Sequence, residues 1–407
     1  MSEKYCFNLS DNKIVKILSE IYFFFMLGAF WSKRLIGATK WTLKYKFIMS
    51  FWKDTVDFFD EKLVYLLIIF IVLRAIIVKI SMKKLITFTT LIVFAELARL
   101  KSGDTYILVI FLLIVAANEI DGKRIISFFT ILNILLFTIT IVGALSGILE
   151  NQIEVGRNRE YLGFNWTTTS VMLFTYFIFY YIVLKKGNIT VLSFSIISLI
   201  NIWLFIKTNT RFAFLISMSV LFVFFVISEF LKYLIDKKGL KVFLIFLPWL
   251  LFSFILVISI KYNENSMVMS QINSILSNRL QQCKTAFLNY DILPFGQPIN
   301  WVMTMDATKD LQANYVDTAY LQFLLCYGYI TIIMLLALCS YLLYRVYNKK
   351  IYSLVFVFAA ILVFGLTERQ LFWIEYDSFL LLLFANLDNL CDDLEKKFLY
   401  KVKREII

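Results

Sequence analysis

Histidine is absent from all 407 residues. The chain therefore has no imidazole to serve as a general base near neutral pH or as a metal ligand. Proline is nearly absent, with only Pro248, Pro294 and Pro298. Charge is scarce, since only 17% of residues are Asp, Glu, Lys or Arg. The five cysteines (Cys6, Cys283, Cys326, Cys339 and Cys391) show no paired spacing that suggests zinc or a disulfide framework. There is no glycine-rich phosphate loop, because GALSG at 143–147 reads as a helix end. Internal repeats and low-complexity tracts are missing as well.

What fills the chain is apolar. Sixty per cent of it is hydrophobic, with 42 Phe and 22 Tyr. A soluble core cannot hide that much apolar surface, so the solvent for much of the chain is lipid. A spanning helix needs about 20 apolar residues to cross ~30 Å of hydrocarbon. That ruler marks about twelve segments, at 14–31, 63–79, 85–100, 105–118, 125–149, 168–184, 189–206, 212–231, 242–260, 317–344, 351–367 and 376–391. Backbone groups in lipid must be satisfied internally, so the segments are expected to be helices. The expected fold is all-α, a polytopic membrane bundle forming a single integral membrane domain over 1–407. The first apolar run lacks a small-residue cleavage site after it, so it is expected to be retained.

The net charge of +12 would hint at nucleic acid in a soluble protein. Here the positives cluster between spans, which points to topology and to no nucleic-acid partner. Lys83–Lys84, Lys123–Arg124, Lys185–Lys186, Lys237–Lys238 with Lys241, Arg345 with Lys349–Lys350, and the tail Lys396–Arg404 fall on one side. The positive-inside rule makes that side cytoplasmic, with both termini inside. The basic stretch 32–62 runs against the rule, since alternation puts it outside. The largest external connection is 261–316, between the ninth and tenth spans. Within it Ile272, Ile275, Leu276, Leu280, Ala286 and Phe287 approximate a helical stripe, followed by a turn at LPFGQP. A surface-lying helix is expected there.

Candidate chemistry lies on the outer side. Arg157 and Arg159 precede the sixth span, Arg211 opens the eighth, Arg279 sits on the surface helix, and Arg369 follows the eleventh. A guanidinium binds phosphate oxygens bidentately and stays charged, so these residues suit a diphosphate at a membrane interface. Each arginine alone could equally anchor its helix by snorkelling. Asp317 and Glu368 are candidate general bases, with Glu375 and Asp377 just beyond. A helix-start acid for Asp317 and an ion pair of Glu368 with Arg369 are the structural alternatives. Asp54, Asp57, Asp60 and Glu61 could hold a divalent metal, but Trp52, Val56 and Phe59 in the same stretch favour an interfacial amphipathic helix. No metal or other cofactor is expected. Within the membrane, Arg74 is expected to snorkel and Glu96 to pair with Arg99.

REYLGFNWTT at 159–168, TNTRFAFLIS at 208–217, INSILSNRLQQ at 272–282, LPFGQPI at 293–299 and the stretch Asp317–Gly328 together carry a resemblance. In that order and topology the chain resembles the bacterial capsular and O-antigen polysaccharide polymerases (Wzy-type) of the O-antigen ligase/polymerase superfamily. The resemblance implies a GT-C-like, metal-independent membrane glycosyltransferase in the bacterial plasma membrane. Its substrate would be undecaprenyl-diphosphate-linked oligosaccharide, polymerised on the outer face and surrounded by membrane lipid. A flippase and a chain-length regulator of the same pathway are the implied partners. Diphosphate binding carries over to Arg157, Arg159 and Arg211, with Arg279 in a loop where the family also presents basic residues. Many relatives follow LGF with a His-Pro-Asn-like step where this chain has NWTT, which argues against a ligase-type histidine base. Ligase and lipid-linked oligosaccharide flippase remain the alternative activities.

Overall fold

A computed structural model of the chain describes residues 13–77, 80–154, 157–235, 237–302 and 314–391, apart from the side chains of 13, 46, 48–49, 51–52, 55–61 and 76–77. Cys6, Lys79, the tail Lys396–Arg404 and the side chains of Val56, Asp57, Phe59, Asp60 and Glu61 lie outside the described residues. The described chain is a helical membrane bundle. Its helices are α1 (Lys13–Ile36), α2 (Trp41–Lys44), α3 (Lys46–Ile77), α4 (Met82–Ser102), α5 (Tyr106–Ala116), α6 (Gly122–Leu145) and α7 (Thr169–Leu184). They continue with α8 (Val191–Thr208), α9 (Arg211–Leu234), α10 (Lys238–Ile260), α11 (Met267–Ile275), α12 (Arg279–Asn289), α13 (Ala319–Asn348) and α14 (Tyr352–Phe364). A short hairpin pairs β1 (Ile153–Glu154) with β2 (Arg159–Glu160).

The helices sort into two kinds. Among the described residues six (α1, α6, α8, α9, α10 and α13) are long and apolar enough to cross a membrane. Most of these carry a lipid-facing stripe, such as Leu192, Leu199 and Ile206 on α8 and Phe246, Leu250 and Phe254 on α10. The shorter helices α5, α7 and α14 are apolar and mostly buried, down to an unbroken buried run from Ile107 to Ala116. Uniform burial explains why these three lack the polar face of an ordinary surface helix.

Eleven of the twelve expected segments coincide with helices. The twelfth, 376–391, forms no α-helix: it has 3-10 turns at Ser378–Leu383 and Asp388–Leu390. Its chain passes through the protein interior, where neighbours satisfy its backbone. Tyr180 bonds it twice, donating its hydroxyl proton to the Tyr376 carbonyl and accepting from the Ser378 N–H at 2.9 Å. Arg345 donates to the carbonyls of Leu382, Leu383 and Ala385. The turn after α5 pairs with Phe384 and Asn386 through backbone bonds of 2.7–3.1 Å. Non-helical backbone at membrane depth is tolerated where protein covers it. The run SFLLLLFANL is apolar enough for a helix. Its interior position, invisible in the sequence, removes the need for one.

Cross-links define two ends of the bundle. At one, Lys84 meets Glu119 at 2.7 Å, Arg74 is buried against Ser19 and Asn118, and Lys349 meets Asp388 at 2.6 Å. At the other, Lys40 N–H donates to Gly163, Asn165 bonds Gly37 and Ala38, and Arg34 meets Glu375 at 2.9 Å. The basic stretch after α1 thus sits at the arginine end, against the 148–165 connection. The acid-containing stretch 54–61 and the apolar segment after it fuse into the single helix α3. Glu96 and Arg99 do pair, at 2.5 Å.

The expected surface helix divides into α11 and α12 at an elbow where Ser277 and Asn278 take positive φ. Asn273 is buried there and its Oδ1 accepts from the N–H groups of Leu280 and Gln281 at 3.0 and 3.2 Å. The elbow breaks the single stripe: Ile275 is exposed while Leu280 and Ala286 are buried.

LPFGQP then does more than turn. Helix α13 is broken at Gly328 (φ 86°, ψ 170°), and the irregular chain from Leu293 to Gln297 packs into the break. The Leu293 and Pro294 carbonyls accept from the N–H groups of Tyr329 and Ile330 at 3.0 and 3.1 Å, and Gln297 N–H donates to Cys326 at 3.2 Å. A Cβ on Gly296 would stand 1.9 Å from the Cys326 carbonyl oxygen, and one on Gly328 would stand 2.4 Å from Pro294 O. Both positions therefore require glycine. Gly296→Ala and Gly328→Ala are each expected to lower stability by more than the ~1–3 kcal/mol of backbone strain alone, since steric overlap adds to it. Gly239→Ala, whose Cβ meets nothing within 4 Å, is expected to be neutral or stabilising by up to about 1 kcal/mol. Thermal midpoints and monodisperse yield in detergent test this, and a wild-type midpoint for Gly328→Ala would contradict the insertion.

Candidate functional site

The arginine end gathers its charge around one buried carboxyl. Glu368 follows α14 in extended conformation and is 7% exposed. Arg279, the first residue of α12, donates Nη2 to Glu368 Oε1 at 2.8 Å and Nε to the Thr367 carbonyl at 2.5 Å. Its Nη2 also lies 3.9 Å from Asp317 Oδ2, just ahead of α13. The elbow capped by Asn273 is what aims Arg279 at this point. Three sequence-distant pieces, α12, the entry to α13 and the exit of α14, thus meet through one guanidinium.

Two more arginines influence the same carboxyl electrostatically. Burial pushes the Glu368 carboxyl up to about 7; Arg279 opposes the shift, Asp317 adds to it, and Arg369 and Arg159 oppose it. Arg159 is held by the hairpin and by the α8–α9 turn, with Nε donating to the Thr208 carbonyl at 2.6 Å and Nη1 3.5 Å from Glu154. Its neighbour Glu160 turns instead to Lys207 at 2.8 Å. Arg369 lies over the Trp373 ring, 4.7 Å from its centroid. Of the five arginines expected to bind diphosphate, Arg279 pairs directly with Glu368, while Arg159 and Arg369 act on it through space from contacts of their own. Arg157 is exposed on the hairpin turn, and Arg211 is exposed at the start of α9, 3.5 Å from Asn209 Oδ1. Of the two expected bases, Glu368 is buried at the centre and Asp317 is half-buried at its edge.

Arg369 also borders a cavity of about 260 Å³ beneath the 297–301 chain, bounded by Arg34, Asp104, Gln322 and Trp373. Arg34 meets Glu375 at 2.9 Å and lies over the Tyr106 ring at 4.7 Å. Tyr106 donates its hydroxyl to the other Glu375 oxygen at 2.7 Å, and Tyr327 donates to Asp104 at 2.5 Å. The sequence pointed to Glu375 only as a bystander and missed Arg34, Asp104, Tyr106 and Trp373 as site residues. Arg34 closes the first apolar run, where a basic residue reads as a span end. Its real role depends on a partner 341 positions later. A larger, open groove of about 780 Å³ lies at the opposite end beside Lys123, Arg124 and Lys186. It contains none of the residues expected to bind diphosphate or act as a base, and its Asp121 and Arg124 are already bonded to Asn389 and Glu20.

The folded value of Glu368 exceeds its unfolded value of 4.5. Its protonated form therefore stabilises the fold fully below about pH 4.5, and that contribution is lost as pH rises through about 7. The stability of the native sequence relative to Glu368→Gln is expected to fall by about 3 kcal/mol between pH ~4.5 and ~8. Chemical unfolding in detergent across that range measures it, and parallel pH profiles would contradict the burial of this carboxyl. In comparisons with known proteins, no family model matches the chain, and neither a curated protein nor a solved structure matches it.

Proposed function

We propose that the chain is a polysaccharide polymerase, a metal-independent membrane glycosyltransferase that joins undecaprenyl-diphosphate-linked repeat units into capsular or O-antigen polymer. The observation that carries this reading is the pairing of Arg279 with buried Glu368 and with Asp317 at one end of a membrane bundle, within electrostatic range of Arg159 and Arg369. The lysine-bearing end is assigned to the cytoplasm by the positive-inside rule. The arginine end then faces outward in a bacterial plasma membrane, where lipid-linked repeats are polymerised.

The chemistry follows from what each group can do. A sugar hydroxyl of the acceptor attacks the anomeric carbon of the donor glycan, and the new C–O bond forms as the bond to diphosphate breaks. The hydroxyl proton goes to Glu368, whose pKa near neutrality suits a base at physiological pH. Asp317, paired more loosely with Arg279 at 3.9 Å, is the alternative base for that proton. The lipid diphosphate leaves with added negative charge, which preorganised guanidinium groups stabilise without rearranging at the moment of reaction. Arg279 neutralises Glu368 before substrate arrives and stands beside the leaving group afterwards. Arg159 and Arg369 complete the clamp, with Arg157 and Arg211 at its exposed rim.

Arg279→Ala and Glu368→Gln, at unchanged protein level, are expected to lower polymerisation about 10²–10³-fold, leaving single lipid-linked repeats. Arg157→Ala and Arg211→Ala are expected to cost less. The assay is glycan length from purified protein and lipid-linked repeats, with and without chelator. Normal chain lengths in the first two variants would overturn the proposal, as would strict dependence on added divalent metal. Transfer only to a different acceptor would indicate a ligase, and passage of repeats across the membrane without chemistry a flippase.

A further inference from the structure

The cavity between Arg34 and Arg369 is rich in hydrogen-bond donors and poor in acceptors. Arg34, in the last turn of α1, uses only its Nε on Glu375, at 2.9 Å. Neither of its Nη groups donates a hydrogen bond among the described residues, and its side chain, 34% exposed, is part of the lining. The Tyr106 and Trp373 ring centroids lie 4.7 and 5.6 Å from its guanidinium carbon. Ring contacts of this kind leave the N–H edges of a guanidinium free for a planar anion. Arg369, at the border shared with the Glu368 cluster, lies over Trp373 and makes neither an ion pair nor a hydrogen bond among the described residues. The Ser102 hydroxyl, also in the lining, accepts from the Asp104 N–H at 3.2 Å and donates to no partner among the described residues.

Nothing in the wall answers these donors. Asp104 is the one carboxylate of the lining, and both its oxygens already accept, from the Tyr327 hydroxyl at 2.5 Å and the Tyr106 N–H at 2.9 Å. Glu375 is almost fully buried behind Arg34 and is not part of the lining. Two arginines against one carboxylate leave the lining one positive charge in excess. A cation held in a largely apolar wall without a counter-charge is costly, and a planar carboxylate matches a guanidinium fork. A single negative charge balances the excess. A diphosphate would bring more charge than the lining needs and would be repelled by Asp104, and a neutral ligand would leave the excess standing. The volume of about 260 Å³ lies just below the ~300 Å³ at which ligand pockets begin, so the acid group enters with no more than a small body attached.

We infer that this cavity binds one carboxylate group, held by the Nη fork of Arg34 and by Arg369, and so takes a singly charged acidic ligand. The inference deepens the proposed function and rests on it for the ligand's identity, an acidic sugar of the lipid-linked repeat unit. Binding of a sugar carboxylate does not itself depend on that reading. Arg34 is then a specificity-determining residue for acidic repeats, separate from the Arg279–Glu368 pair. Arg369, at the shared border, serves both compartments.

The test is saturation-transfer NMR titration of the full-length protein in an uncharged detergent without a sugar head group. The probes are glucuronate, its neutral counterpart glucose, and inorganic diphosphate. Glucuronate is expected to bind and glucose not, and Arg34→Gln and Arg369→Gln are each expected to weaken glucuronate binding roughly tenfold or more. Lys123→Gln, which removes the same charge at the opposite end of the bundle, is expected to leave it unchanged. Arg34→Gln strands Glu375 and may fold poorly; Arg369→Gln, which breaks no ion pair, then decides. No binding of glucuronate, equal binding of glucose, or indifference to the arginine substitutions would overturn the inference. So would diphosphate binding more tightly than glucuronate through Arg34. Glucuronate binding without polymer synthesis would instead count against the proposed function alone, and polymer synthesis without glucuronate binding against the inference alone.

Discussion

Where α13 breaks at Gly328, the carbonyls of Leu293 and Pro294 take over the bonding of Tyr329 and Ile330, and Gly296 lies flat against Cys326. Everything at the arginine end hangs from that junction. It pins the far end of the 261–302 connection into the bundle, so that Trp301 closes the cavity and α12 lies across α10 with Arg279 facing Glu368. A surface helix tethered only at Ile260 could not hold a guanidinium within hydrogen-bond distance of a buried carboxyl. Two glycines without side chains are what let two backbones approach this closely.

A second constraint acts from the opposite direction. The chain after Arg369 returns through the interior without forming an α-helix, and Tyr180, Arg345 and the turn after α5 complete its backbone bonds. That path carries Glu375 to Arg34 and places Trp373 between Arg34 and Arg369. The charge cluster and the cavity thus share a wall made of one short segment, 368–375. The coupling is physical: Glu368 and Arg369 are adjacent, yet one faces Arg279 while the other lies over Trp373.

How much of this the sequence disclosed varies with the range of the interaction. Helix positions were legible, because helices buried in lipid or in protein are apolar alike, and eleven segments fell on helices although six of the described helices are long enough to span. The segment 376–391 was misread because a buried chain and a spanning helix have the same apolar composition. The amphipathic stripe around Ile275 was also misread, since the elbow depends on the side chain of Asn273 capping a helix seven residues on. Arg159, Arg279, Arg369, Asp317 and Glu368 could be named from residue type and loop position. That Arg279 pairs with Glu368 within electrostatic range of Arg159 and Arg369, while Arg157 and Arg211 stay exposed, depends on packing. Arg34 and Gln322 gave no sign, because an arginine at a span end and a glutamine in a helix are ordinary until their surroundings are known.

The central claim is that several arginines share one buried carboxyl at Glu368. Isotope-edited infrared titration of the Glu368 carboxyl, isolated as the difference between the native protein and Glu368→Gln, tests it directly. The account predicts a midpoint near 7 that moves upward when Arg159, Arg279 or Arg369 is replaced by Gln. A midpoint in the ordinary carboxylate range, unchanged by all three substitutions, would contradict it.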